Sequence, residues 1–266
     1  ADHHGTELKL DLYTYTKHKY RKFELSHFNI NAKEATRAEV HQFTGNNPVV
    51  RYLNKRENYF HCPYVFAQPH YHFYDDFFSL PGNLYLSGYW QSEKYFAHIA
   101  DLIRQDLRIV IPPSAANAAM LQQIQASNAV ALHIRRGNFV HVPEVNKVHG
   151  TCSPEYYAAA IAYITERVPD PVFYIFSDDL AWAKAHLNMQ YPTVFVDLND
   201  AAHDYEDLRL MQQCRHQITA NSTFSWWGAW LNTNPNKIVV APKQWFADPV
   251  KNEQTKDLVP ESWVRL

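Results

Sequence analysis

Glycine and cysteine are both scarce in this chain. Only seven glycines occur in 266 residues, and they gather into no loop. The three cysteines, Cys62, Cys152 and Cys214, are odd in number, far apart and never in a CxxC pair, which excludes a disulfide framework and a clustered zinc site. A reducing compartment follows as the expectation. No apolar run reaches 18 residues, and the start, Ala1-Asp2-His3-His4-Gly5, lacks the charged-then-apolar order of a signal peptide, so no anchor or export signal is expected. A strong charge of either sign is missing too. With a formal charge of -2, the chain carries no general basic field for duplex nucleic acid or an anionic membrane, and any anion site must be local. What is present is 46% hydrophobic and 20% charged residues, the profile of a soluble globular protein long enough for two domains.

The second half has the clearer rhythm. From Ala129 short β-branched runs alternate with segments of helical spacing: "AVALHIRR", "SPEYYAAAIAYITERV", "VFYIFSDD", "LAWAKAHL", "TVFVDL", "YEDLRLMQQCR", "HQITAN", "STFSWWGAWLN" and "KIVVAP". Strand and helix in alternation predict a doubly wound, Rossmann-like parallel sheet, whose ligands bind where strands end and helices begin. The first half is less regular. "ELKLDLYTY" and "HFNI" read as strands, "SEKYFAHIADLIRQDL" as one amphipathic helix capped by Ser92, and 60–78 as a loop rich in His, Tyr, Phe and Pro. Pro112-Pro113 and the helix-like "SAANAAMLQQIQAS" mark the passage between domains, expected as 1–115 and 116–266.

Polar clusters follow the predicted strands. His133-Ile134-Arg135-Arg136-Gly137 reads either as a phosphate cup or as two arginines in surface ion pairs. Ser177-Asp178-Asp179 reads as a helix cap at Ser177 or Asp178, as a metal-holding pair of acids, or as a partner for ribose or base. Asp204, Glu206 and Asp207 invite the same comparison. Asn221-Ser222-Thr223 forms a glycosylation sequon, but the run Phe224, Ser225, Trp226, Trp227, Trp230 after it predicts a buried helix. On that reading the triplet supplies capping oxygens, and the helix start is an anion seat. His61, Cys62, His70 and His72 could be presented as a zinc set, but their spacing matches no compact pattern and no metal is expected. The "RRG" run lacks the histidine that a phosphohistidine mechanism requires.

In order along the chain, "GYWQSEKYF" (88–96), "HIRRGNF" (133–139), "FSDDLAW" (176–182), "DYEDLRLMQQC" (204–214), "NSTFSWWGAWLN" (221–232) and "VVAPKQWF" (239–246) resemble the alpha-1,2-fucosyltransferases of glycosyltransferase family 11. "HIRRG" alone is a weak motif; "NSTFSWWGAWL" is a strong one. The resemblance runs from about residue 8 to residue 263 and implies an α/β, GT-B-like pair of Rossmann-like domains. It implies an inverting, metal-independent transfer of fucose from GDP-beta-L-fucose, without a cofactor, to the 2-hydroxyl of a galactoside. Arg135 would act on the leaving diphosphate as the catalytic residue. His133, Arg136, Ser177, Asp178, Asp207, Asn221, Ser222, Thr223, Phe224 and Ser225 would bind the donor. The implied partners are a nucleotide sugar and a glycan acceptor, with no nucleic acid. The implied setting is the bacterial cytoplasm, with peripheral membrane association as a companion expectation. Two departures stand out: Asn138 replaces the family's usual Asp, and the chain begins after the place of the family's Gly-rich opening. The first domain is therefore expected to be incomplete or rearranged, and the rival reading is a nucleotide-sugar or glycan-binding protein without turnover.

Overall fold

The computed structural model describes residues 1–13, 15, 23–45 and 64–266. The chain divides into two compact units, Ala1–Val110 and Ile111–Leu266.

Strands β5 (Asn128–Ile134), β6 (Pro171–Ser177), β7 (Thr193–Phe195), β8 (His216–Ile218), β9 (Val239–Ala241) and β10 (Val264–Arg265) form one parallel sheet in the second unit. Their spatial order is β7-β6-β5-β8-β9-β10, so counting from β5 as 1 the sheet reads 3-2-1-4-5-6. This is the doubly wound order of Rossmann-like domains, and its topological switch lies between β5 and β8. The helices that cross between strands are α4 (Gly137–His141), α5 (Pro143–His149), α6 (Pro154–Thr165), α7 (Leu180–His186), α8 (Asp204–Gln213), α9 (Thr223–Leu231) and α10 (Pro249–Glu253). Helix α3 (Ala115–Gln125) precedes β5.

The alternating faces of the strands explain the near-continuous apolar runs. Val130, Leu132 and Ile134 of β5 pack with Phe173 and Ile175 of β6 against Tyr157, Ala160 and Ile164 of α6 and Ala183 of α7. Ala129 and Ala131, with Tyr174 and Phe176, face Ile124 of α3 and Leu210 and Met211 of α8. A strand buried on both sides has no polar face to show, so it cannot alternate. Ser153 caps α6 by accepting from the Tyr156 amide at 3.3 Å, with Pro154 at its first position, and Ser114 caps α3 in the same way. Helix α9 packs on α8 at Gly228, where a Cβ would stand 3.1 Å from the Met211 Cβ. Trp226 fixes α9 further by donating from Nε1 to the Leu258 carbonyl at 2.8 Å.

The first unit contains β1 (Lys9–Leu10) paired with β2 (Lys33–Glu34), β3 (Val65–Ala67) paired with β4 (Tyr85–Ser87), and helices α1 (Arg37–Thr44) and α2 (Ala100–Asp106). Among the described residues no second Rossmann-like sheet forms here. The strand expected over 7–15 is limited to β1, and "HFNI" contributes only an isolated antiparallel bridge, Phe28 to Ile109. The long helix expected from Ser92 is also broken. Ser92 caps a 3-10 turn, Glu93–Tyr95, a second turn follows at Ala97–Ile99, and only Ala100–Asp106 is α-helical. Phe96 and Ile99 leave helical geometry, with φ of -143° and -119°, at the place where Tyr95 is drawn into a cluster with Phe73, Phe77 and Trp90. Tertiary packing of one aromatic ring outweighs local helical preference.

Candidate functional site

The site is built on the C-terminal rim of the six-stranded sheet. Strand β5 ends at Ile134, whose Cα partner on β6 is Ser177. Carrying that register past the ladder sets Arg135 opposite Asp178 and Arg136 opposite Asp179, and both pairs close: Arg135 to Asp178 Oδ2 at 3.0 Å, Arg136 Nε to Asp179 Oδ2 at 3.1 Å. The Arg136 amide also donates to Asp178 Oδ1 at 2.8 Å. The two arginines therefore differ. Arg136 lies over the Trp182 ring, 4.1 Å from its centre, with its side chain 17% exposed, whereas that of Arg135 is 36% exposed. Arg135 is the one an incoming anion can reach. Partly exposed ion pairs are worth little, so the Asp178 contact holds Arg135 only weakly.

The helix cap after β6 is Asp179, not Ser177 or Asp178. Asp179 Oδ1 accepts from the Trp182 amide at 3.0 Å, and Ser177 Oγ accepts from the Asp179 amide at 2.9 Å. The Trp182 contact and Arg136 hold the Asp179 carboxyl below its ordinary pKa. Asp178 is left free of capping duty to face Arg135 and the Arg136 amide. Gly137 makes room for it: a Cβ there would stand 2.4 Å from Asp178 Oδ2.

His133 projects to the α3 and α8 side of the sheet, 5% exposed, with its ring 5.7 Å from that of Phe224. Burial, with a smaller contribution from Arg135, lowers its pKa to about 3, so the imidazole is neutral. Its Nδ1 is buried without a hydrogen-bond partner. An unsatisfied buried nitrogen is costly to the fold.

Helix α9 starts beside β5 across the switch, and here the capping expectation is corrected. Ser222 stands at the cap position but its side chain accepts no capping hydrogen bond. Asn221 is buried, and its amide donates to the carbonyls of His149 at 2.9 Å and Trp245 at 3.1 Å. Ser225 turns back, accepting from the Ala220 amide at 3.2 Å and donating to the Ser222 carbonyl at 3.3 Å. Asn221 spends its side chain on two loops and Ser225 on the turn before the helix, so neither caps it. The first amides of α9 keep their donors and the positive end of the helix dipole. A glycan on Asn221 would displace its two carbonyl contacts, so the sequon is incompatible with this fold.

Asp207, on the first turn of α8, accepts from Asn199 at 2.7 Å, and Asn199 exchanges amide hydrogen bonds with Asn117 at 2.8 and 3.1 Å. Burial first, then Asp204 and Glu206, raises the Asp207 pKa to about 6, against the effect of Asn199. Sequence reasoning missed the Asn117–Asn199 relay and the Trp182 support under Arg136; both join residues far apart in sequence, and no local motif announces them. Of the histidine set, His70 and His72 stack with ring centres 3.3 Å apart, while His61 and Cys62 lie outside the described residues. Among the described residues no group of three or more His, Cys, Asp or Glu could hold a metal, and no helix is long and apolar enough to cross a membrane.

The sequence profile described as "Glycosyl transferase family 11" matches residues 55–266. The chain belongs to glycosyl transferase family 11. It is 34% identical to an alpha-1,2-colitosyltransferase of Escherichia coli over 98% of this chain and 89% of that protein. Over 53% of its length it is 41% identical to the O-antigen biosynthesis glycosyltransferase WbnK of Escherichia coli, covering 45% of that protein. The human galactoside alpha-(1,2)-fucosyltransferase 1 is 26% identical over 56% of this chain and 43% of its own. No solved structure matches significantly. Membership in family 11 makes the chain a glycosyltransferase.

Proposed function

We propose that this family 11 enzyme moves L-fucose from GDP-beta-L-fucose to the 2-hydroxyl of a galactoside acceptor with inversion at the anomeric carbon. The observation that supports the reading is that the accessible Arg135 guanidinium and the uncapped start of α9 follow two adjacent parallel strands, β5 and β8, on the same edge of the sheet. A guanidinium and a row of helix amides together stabilise negative charge gathering on a departing diphosphate. The acceptor oxygen bonds to C1 as the bond from C1 to the phosphate oxygen breaks. The electron pair leaves on the diphosphate, and one proton is released in the net reaction. His133 and Asp178 contact the nucleotide, Arg136 and Ser177 hold those contacts in place, and Asp207 is a further donor contact. Ser222, Thr223, Phe224 and Ser225 shape the phosphate seat and Asn221 anchors it. The cations and amides supply the charge a metal would otherwise bring, so the transfer proceeds without metal or cofactor. A GT-B arrangement, with an acceptor-side domain over 1–115 and a donor-side domain over 116–266, is the part of this reading that the family resemblance supports.

The colitosyltransferase similarity, which spans nearly the whole chain, favours a second reading in which the transferred sugar is colitose. Product analysis with GDP-fucose and GDP-colitose on lactose-type acceptors separates the two. Arg135→Ala is expected to reduce transfer by about a hundredfold or more, with the thermal midpoint unchanged. A mutant of near-wild-type rate would remove Arg135 from the chemistry, and GDP binding without any transfer would favour a binding protein.

A further inference from the structure

One gap further along the same rim, between the ends of β8 and β9, lies a cavity of about 270 Å³. Its wall is built rather than accidental. Asn221 ties the carbonyls of His149 and Trp245 to the start of α9, so the loop after α5 and the turn after β9 are locked together. Gly150 lets that loop pass the turn closely, with φ of 61° and space for a Cβ only 3.0 Å from that of Ala247. Thr151, Lys243 and Gln244 line it together with Leu266, whose carbonyl accepts from the Lys243 amide at 2.7 Å, and no Asp or Glu side chain does.

Charge separates this cavity from the rest of the rim. Arg135 and Arg136 each face a carboxylate, whereas Lys243, exposed on the turn after β9, forms no ion pair among the described residues. A cation without an ion-pair partner, bordering a cavity that no acidic side chain lines, fits an anionic ligand. Its distance from the arginines suits one molecule: β9 is two strands from β5, or about 10 Å at the usual spacing, which a diphosphate with its attached groups can bridge. Direction follows from hydrogen bonding. A guanine edge presents N–H donors and needs carboxylate acceptors, and those stand on the β6 side at Asp178. The cavity offers a lysine, the hydroxyl residues Thr151, Ser153 and Tyr156, and the amides of Asn221 and Gln244. Its volume falls just below the range of about 300–1,000 Å³ usual for larger ligands, so it suits a phosphate and one sugar ring better than a nucleotide.

We infer that this cavity receives the sugar-bearing end of the nucleoside diphosphate donor, with Lys243 holding the phosphate attached to the sugar and Thr151 and Gln244 facing the hexose hydroxyls. The inference rests on the glycosyl-transfer reading and assigns one further residue to it.

Calorimetry of the full chain with GDP and with GMP tests it, because only GDP carries the second phosphate. In Lys243→Gln, GDP affinity is expected to fall by at least about tenfold, while GMP affinity stays within about twofold; Lys243→Arg should recover most of the loss. The side chain is exposed, so the thermal midpoint should not move. Unchanged GDP affinity in Lys243→Gln, or an equal loss for GDP and GMP, would overturn the inference while leaving fucosyl transfer standing. A wild-type chain that binds no GDP would instead overturn the proposed function, and this inference with it.

Discussion

Arg135 and Arg136 are adjacent in sequence and differ in role because the strand ends between Ile134 and Arg135. Arg136, laid over Trp182 and paired to Asp179, supports the start of α7 as much by packing as by charge. Arg136→Ala should therefore lower stability by about 1–2 kcal/mol, measured by urea denaturation, where Arg135→Ala should leave it unchanged. The titrating groups on the other face of the rim act in opposite senses. His133 has a folded pKa of about 3, below that of the unfolded chain, so the unfolded state binds more protons and stability falls as pH drops through the range from about 6.5 to 3. Asp207 is raised to about 6, so its folded form holds the proton longer, and its contribution is lost as pH rises from about 4 to 6. Asp207→Asn should consequently stabilise the protein at pH 8 by about 1–2 kcal/mol and weaken donor binding. Denaturation at pH 5 and pH 8 beside a GDP titration checks both halves: equal gains at the two pH values would show that ionisation of Asp207 is not the cause.

At the scale of elements, the second unit was largely legible in the sequence. The alternation from "AVALHIRR" to "KIVVAP" located β5 to β9 and the helices α6 to α9, because strands covered on both faces and helices with one apolar face leave periodic traces. Helices α4 and α5 left no such trace, being short and without a fully buried residue. The first unit was read less well, since a helical pattern over 92–107 yielded to the aromatic cluster around Tyr95. In the site, the residue types at the strand ends were legible and their partners were not. Which acid faces Arg135 depends on the β5/β6 register, and which side chain caps α7 depends on the loop's path. The same dependence makes Gly137 a sensitive position. Gly137→Ala would drive a methyl into the Asp178 carboxylate, which is held by two donors and cannot swing away freely. A loss of about 1–2 kcal/mol is expected, together with weaker GDP binding; a variant that matches wild type in both would show that the loop adapts.

For the molecule as a whole, the six-stranded sheet places reporters on both of its faces. Cys214 is buried with Leu210 and Met211 on the α8 side, and Cys152 packs against the α6 side with its thiol raised to about 11 by burial. Few thiolates form at pH 8, so alkylation of either should be slow in the native state and should accelerate together once the second unit opens cooperatively. Peptide mass spectrometry after timed alkylation measures this, and a Cys214 that reacts long before Cys152 would mean that the two faces separate independently. Asn221 has a comparable reach. Its amide hydrogens point at the carbonyl oxygens of His149 and Trp245, so conversion of this one side chain to aspartate during ageing would turn two attractions into repulsions at the seam between three loops. Exchange of a single nitrogen for oxygen at this position would therefore loosen the strand end after β8, the loop after α5 and the turn after β9 together.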